Sequence, residues 1–295
     1  MTKFPDSAVI FPYCPACVLH VSGPDAATFL QGQFTNDLRN LLPRQSVYGL
    51  WLDRKGRVIA DSHVLKSGDG ADFWIVSVSS PAPTVARRLG DHIVADEVAI
   101  EDETGSWQGV SLIGAGVGTW CASAPRPGLL FPGRRGGTES REWIFPVSDA
   151  GLVKAAVSGA REVSKEETER MRIASGVPLV PVDIGPADLP NEGGLESAAI
   201  SYSKGCYLGQ EVMARLQSRG RVRRALVRVT GPGAPPPVPA ALWRADRREG
   251  ELRSVVPGAG GLGFEGLALV SVGSAGGPFS LASGMQASLD VVPSA

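Results

Sequence analysis

The chain has 295 residues, 43% of them apolar and 20% charged, which describes a globular protein of two or three domains and excludes a disordered one. A formal net charge of -1 argues against a generic polyanion binder. No apolar run approaches bilayer length and none follows Met1-Thr2-Lys3-Phe4-Pro5 as a secretory signal would, so a cytoplasmic protein is expected.

Cysteines at positions 14, 17, 121 and 206 are too few and too scattered for a disulfide scaffold. Cys14-Pro15-Ala16-Cys17 has the CxxC spacing, but there is no second pair and it leads into a strand, so no metal site is expected. Val18 to Ser22 reads as that strand. Gly23-Pro24-Asp25 then opens a helix that Gly32 ends, and Asn36 and Asp37 follow it, either as caps or as side chains pointing into a cleft. Ser46 to Leu52, Arg57 to Lys66 and Asp72 to Val78 read as a meander, joined by the turns Asp53-Arg54-Lys55-Gly56 and Ser67-Gly68-Asp69-Gly70. Alternation puts Ala60, Ser62 and Val64 on one face of the middle strand and Asp61 and His63 on the other.

Pro83 to Gly90 is helical, and Glu97 to Glu101 and Val110 to Ile113 return to strands, a pattern of α+β ferredoxin-like units. Gly114-Ala115-Gly116-Val117-Gly118 lacks the GxGxxG spacing of a dinucleotide site, and Trp120-Cys121 is expected to continue as strand. Residues 125 to 137 read as loop. Asp149 to Val157 and Ser164 to Ser175 read as helices, the second opened by a capping box of Ser164 and Glu167. Residues 176 to 203 have little periodicity and many turn formers. A loop of this length is usually functional, and Glu192 is its candidate polar contact.

The stretch Lys204-Gly205-Cys206-Tyr207-Leu208-Gly209-Gln210-Glu211 gathers a thiol, an ammonium, a carboxylate, an amide and a phenol between glycines that allow close backbone approach. A short helix runs from Gln210 to Leu216. Arg219, Arg221 and Arg223 alternate and are expected on one strand face, which leaves room for weak RNA contact. Short apolar runs broken by glycines then suggest a small β-barrel.

Lys204 to Glu211 resembles the signature of the YgfZ-type folate-binding proteins, relatives of the glycine-cleavage aminomethyltransferase that act in iron-sulfur protein maintenance and tRNA modification. Gly23-Pro24-Asp25-Ala26 with Phe29 to Asp37, and Glu169 to Pro178, are similar to that family's other two blocks, in the same order. Gly56-Arg57-Val58-Ile59-Ala60-Asp61 resembles the Gly-Gly-x-x-Asp-Asp segment of the aminomethyltransferases, with Ala60 replacing the first acid.

The resemblance implies an aminomethyltransferase-like α+β fold: two ferredoxin-like lobes at about 1–105 and 106–220, and a C-terminal β-barrel at 221–295. It also implies a tetrahydrofolate cofactor, iron-sulfur client proteins, no membrane, and a monomer. A pterin wants a carboxylate fork, apolar or aromatic walls, and cations for its glutamate tail. Asn36, Asp37, Asp61, Glu192, Tyr207, Gln210, Arg215 and Arg223 are the candidate folate contacts, with Tyr202 and Phe34 as further walls and Lys204 as a further cation.

Cys206 is the candidate working thiol, its thiolate favoured by Lys204 and by the helix that follows, and opposed by Glu211. Three functions follow: a folate-binding auxiliary factor for iron-sulfur proteins, an aminomethyltransferase-like transferase, and an RNA-binding module on the arginine stripe. The loss of the acid at Ala60 and the presence of Cys206 favour the first.

Overall fold

The computed structural model describes residues 3–123, 126–136 and 139–292. The strands are β1 (Val9–Tyr13), β2 (Cys17–Ser22), β3 (Ser46–Leu52), β4 (Val58–Lys66), β5 (Phe73–Ser77), β6 (Ala99–Asp102), β7 (Trp107–Ile113), β8 (Leu129–Pro132), β9 (Ser140–Pro146), β10 (Arg161–Glu162), β11 (Arg224–Gly231), β12 (Ala240–Arg244), β13 (Arg247–Pro257), β14 (Phe264–Ser271) and β15 (Asp290–Val292). The helices are α1 (Ala26–Gln33), α2 (Ala82–Gly90), α3 (Val117–Ala122), α4 (Ala150–Ala156), α5 (Lys165–Ala174), α6 (Glu196–Ala199) and α7 (Gln210–Arg219).

The first sheet has the order β3-β4-β5-β2-β6 and is antiparallel throughout. Setting aside the edge strand β3, the path β2-α1-β4-β5-α2-β6 is the split βαβ arrangement of ferredoxin-like folds. Leu19, Ala60, Val64 and Ile75 bury one sheet face under Phe29, Leu30, Val85 and Leu89 of α1 and α2. The second sheet, β10-β1-β7-β9-β8, repeats this path as β7-α3-β8-β9-α4-β10. Its extra member is β1, parallel to β10 and antiparallel to β7, so the chain starts in the second sheet before crossing to the first.

The faces of the two sheets away from the helices meet through Val18, Leu65 and Val76 on one side and Trp107, Phe131 and Ile144 on the other. Residues on β4 of odd number therefore look toward the second sheet. Ala60 looks the opposite way, into the core beneath the helices, with no exposure.

The third sheet has the order β12-β13-β14-β11-β15. It is not the closed barrel expected from the glycine-broken runs. Among the described residues its edges β12 and β15 do not pair with each other; isolated bridges join Trp243 of β12 to Ser280, and Phe279 to Leu289. The glycines and proline at 276–278 and the turn-rich stretch after Ser280 leave no continuous strand to complete a ladder.

Two local expectations are also corrected. Trp120 and Cys121 lie in a helix, because Trp120 packs edge-on against Phe4 and Trp143. Its amino-terminal backbone donors at Gly116 and Gly118 are taken by the carboxylate of Glu139. The arginine stripe is not on a strand: Arg219 ends α7, Arg221 and Arg223 sit in irregular backbone, and β11 starts at Arg224. The helix persists past Leu216 because Met213, Val212 and Leu216 pack into the core shared with β3 and the 180–200 segment.

Candidate functional site

A narrow recess, with a cavity volume of about 50 Å³, opens where the two sheets meet the chain after α5. Tyr48, Asp61, His63 and Ser77 line it from the first sheet, Glu142 from β9, Arg134 and Arg135 from the loop before β9, and Val177, Pro178 and Leu179 from the third side. Asp61 reaches it because β4 alternates and the odd-numbered side faces the second sheet.

The Asp61 carboxylate accepts hydrogen bonds from Tyr48 Oη (3.0 Å), Ser77 Oγ (3.1 Å) and Ser80 Oγ (2.7 Å). Burial pushes its pKa up, against the opposing pull of these hydroxyls and of the Arg134 charge. Arg134 lies 4.0 Å from the Tyr48 ring centroid. His63, its ring tilted against those of Tyr48 and Phe131, is pushed down to about 3 by burial and then by Arg134, so it is neutral at physiological pH.

Glu142, 1% exposed, shares the inner face of β9 with Ile144. Its Oε2 accepts from Tyr13 Oη (2.6 Å) and Ser111 Oγ (2.7 Å). Arg135 stands over Tyr13, 4.5 Å from its ring centroid. Burial, followed by the neighbouring Glu142, pushes the Tyr13 phenol up, which keeps it a donor. Sequence reasoning missed Tyr13, Tyr48, Arg134, Arg135 and Glu142. The available signals were weak: paired arginines in a loop, and one acid on the inward face of β9.

Of the side chains singled out in the sequence as contacts or walls, Asp61 lines the recess; the others lie elsewhere. Lys204 Nζ donates to the carbonyls of Gln31 (2.7 Å), Phe34 (2.6 Å) and Asn36 (2.9 Å), closing the end of α1. Burial pulls it down to about 8. The motif is fastened further by Leu208 N to Gly32 O, and Gly209 (φ 86°) abuts Asp53 O and Gly56, where a Cβ would meet backbone at 2.8 Å. Tyr207 is buried against Leu50 and Met213 with its hydroxyl unpartnered, and burial raises its pKa. Gln210 Oε1 lies 3.4 Å from Tyr207 N, while Cys206 and Glu211 are exposed.

Asn36 donates to Tyr48 O (2.9 Å) and accepts from Asp37 N. Asp37 is held well below the usual carboxylate range, chiefly by hydrogen bonds from Arg39. Phe34 belongs to the core of the first sheet and Tyr202 packs at the edge of the core that holds Tyr207. Arg215 and Arg223 are exposed. Glu192 is paired with Arg224 (2.7 Å), and this ties the 176–203 loop to β11. Asp183 pairs with Arg172 of α5 and accepts from Ser254 of β13, and Asp188 pairs with Arg253 of β13. These three acids therefore bind the loop to α5 and the third sheet.

Among the described residues, His20, Glu101 and Glu103 could each offer one ligand atom within 4.8 Å of the others; His20 Nε2 also lies 3.1 Å from Asp72. No helix of the described residues is long and apolar enough to cross a membrane.

Residues 7–118 match the GCVT N-terminal domain family. The tRNA-modifying protein YgfZ of Edwardsiella ictaluri is 30% identical over 234 residues, covering 72% of this chain and 68% of that protein. A mitochondrial iron-sulfur cluster assembly factor IBA57 homolog from Mycosarcoma maydis is 26% identical over 251 residues, covering 78% of this chain and 59% of that one. The aminomethyltransferase T of the glycine cleavage system from Bartonella henselae superposes with a TM-score of 0.78 over 98% of this chain and 86% of its own, at 20% identity, and so shares the fold. By this sequence relationship the chain belongs to the YgfZ-type family, built on the aminomethyltransferase fold.

Proposed function

We propose that the chain binds a reduced folate in the central recess and serves, as a cytoplasmic monomer, as an auxiliary factor for iron-sulfur proteins, including enzymes that modify tRNA. The observation that carries the folate is the recess itself. It combines a buried carboxylate, Glu142, and a half-buried one, Asp61, from different sheets with two arginines and the apolar wall of Val76, Val177 and Pro178. That donor and acceptor set fits a ring with polar edges and apolar faces. Asp61 and Glu142 would hold the ring and Arg134 an anionic tail. A bound folate would supply one-carbon chemistry. The relatives named for tRNA modification and iron-sulfur cluster assembly support the auxiliary role.

Cys206 is the proposed working thiol. It is exposed and does not line the recess, which suits a group that meets a partner protein while the folate is held elsewhere.

A second reading, aminomethyltransferase-like transfer, keeps support from Asp61. The replaced acid at Ala60 would have pointed into the core under α1 and α2, so its loss removes nothing from the recess, contrary to the weight given to it in the sequence. The acid that faces the recess is retained, with a raised pKa suited to proton transfer.

Calorimetric titration of tetrahydrofolate into the wild type and Cys206→Ser tests the first reading. Equal binding by both is expected. Binding that disappears in Cys206→Ser would join thiol and ligand in one site and favour a transfer role. A wild type that takes no folate would overturn both readings.

A further inference from the structure

A second group of side chains lies outside the recess, and what it implies does not depend on the folate reading. Val18 faces the second sheet, so His20, two residues further along β2, stands on the same face of the first sheet. The β2–β6 ladder sets Glu101 directly opposite His20, and Glu103 follows two residues later. One ligand atom from each of the three lies within 4.8 Å of the other two, with His20 and Glu103 half-buried and Glu101 exposed. The cysteines gave no reason to expect a metal site; these residues meet only through the strand ladder. Both half-buried members are held from outside the group. Asp72 Oδ2 lies 3.1 Å from His20 Nε2. A carboxylate there can only accept, so Nε2 carries the ring proton and the lone pair of the neutral imidazole is on Nδ1. The Trp74 ring lies against that of His20, centroids 4.7 Å apart. Trp107 of the second sheet donates from Nε1 to Glu103 Oε2 (3.0 Å), which orients that carboxylate. Three carboxylates gathered around one imidazole repel one another, and a cation among them relieves the repulsion.

We propose that His20, Glu101 and Glu103 bind one divalent first-row transition ion through an imidazole nitrogen and two carboxylate oxygens. Asp72 is the positioning residue that fixes the imidazole, and Trp107 fixes Glu103. A nitrogen ligand selects against Mg²⁺ and Ca²⁺, which take oxygen ligands, and a group without a thiolate selects against Cu⁺. Three protein ligands leave coordination positions for water. Glu103 lies on the link from β6 to β7, so the ion would fasten the first sheet to the start of the second.

The test titrates Co²⁺ into the full chain after chelator treatment, followed by tryptophan emission and by the visible spectrum. The wild type should take up one ion, with quenching because Trp74 and Trp107 flank the group, and with no sulfur-to-cobalt charge-transfer band. Binding accompanied by that band would put the ion on an exposed thiol, Cys14 or Cys206, and overturn the assignment. Glu101→Gln and His20→Gln should each weaken binding by more than about 10-fold. Asp72→Asn should weaken it by about 10-fold, as loss of an outer partner does, and Asp72→Glu, which restores the acceptor, should recover affinity. Glu97→Gln removes an exposed acid of the same segment outside the group and should bind as the wild type does. A wild type that takes no Co²⁺, wild-type affinity in Glu101→Gln, or an equal loss in Glu97→Gln would overturn the proposal. Because Glu101 is exposed, Glu101→Gln should melt like the wild type without metal. Added Co²⁺ should raise the Tm of the wild type and not of that variant; an equal rise in both would also overturn the proposal.

Discussion

Replacing Lys204 by Met should unlock the end of α1. The ammonium donates to the carbonyls of Gln31, Phe34 and Asn36 at 2.6 to 2.9 Å, and the residue is only 5% exposed. Hydrogen bonds to a charged group contribute about 1.5–3 kcal/mol each, while the desolvation of one ammonium costs several kcal/mol. The net loss for Lys204→Met should be roughly 2–4 kcal/mol, a fall in Tm of about 3–6 °C for a chain of this size. The loss should also depend on pH. Burial lowers Lys204 from 10.5 to about 8, so between those values the unfolded chain holds more protons than the folded one. Wild-type stability therefore rises with pH through that window, and the variant lacks the rise. Thermal scans of both proteins from pH 7 to pH 10 should show the gap widening. A loss below about 1 kcal/mol, or a gap that narrows with pH, would refute the role of Lys204 as a buried clamp.

Gly209→Ala should destabilise by roughly 1–3 kcal/mol, since φ is 86° and the new Cβ would sit 2.8 Å from Asp53 O; Gly205→Ala, with open space around it, should stay within about 0.5 kcal/mol, as denaturant midpoints would show. Arg172→Met strips a fully buried Asp183 of its ion pair and should cost about 3–5 kcal/mol, read by the same assay, with faster proteolysis of the 176–203 loop. Asp61→Asn should change the acid branch of the stability curve. Because the folded pKa of Asp61 lies above its ordinary 3.8, wild-type stability falls as pH rises from there to the folded value, so the variant should gain relative to wild type across that window. An unchanged difference between the two melts would contradict a raised pKa.

Local pattern made most of the first sheet legible. The strand over Ser46–Leu52 and the turn at 53–56 follow from alternation and turn residues, and Ser164 Oγ accepts from Glu167 N, which is one half of the expected capping box. What stayed hidden was long-range. β1 gives only a short signal and gains its place from β7 and β10, which lie some 100 and 150 residues away. Glu192 of the 176–203 loop looked like a free ligand because its arginine partner, Arg224, lies on β11. Lys204 and Cys206 are two residues apart in sequence, which suggested a shared electrostatic role; the fold spends the ammonium on α1 and leaves the thiol exposed. The recess draws Asp61 from one sheet and Glu142 from another, a meeting that no periodicity can encode.

The most direct test of a folate in the central recess is amide hydrogen exchange with and without tetrahydrofolate. The account predicts added protection over residues 61–63, 77–80, 134–136 and 177–179, with little change at 204–211. Protection concentrated at 204–211, with the recess segments unaltered, would contradict it.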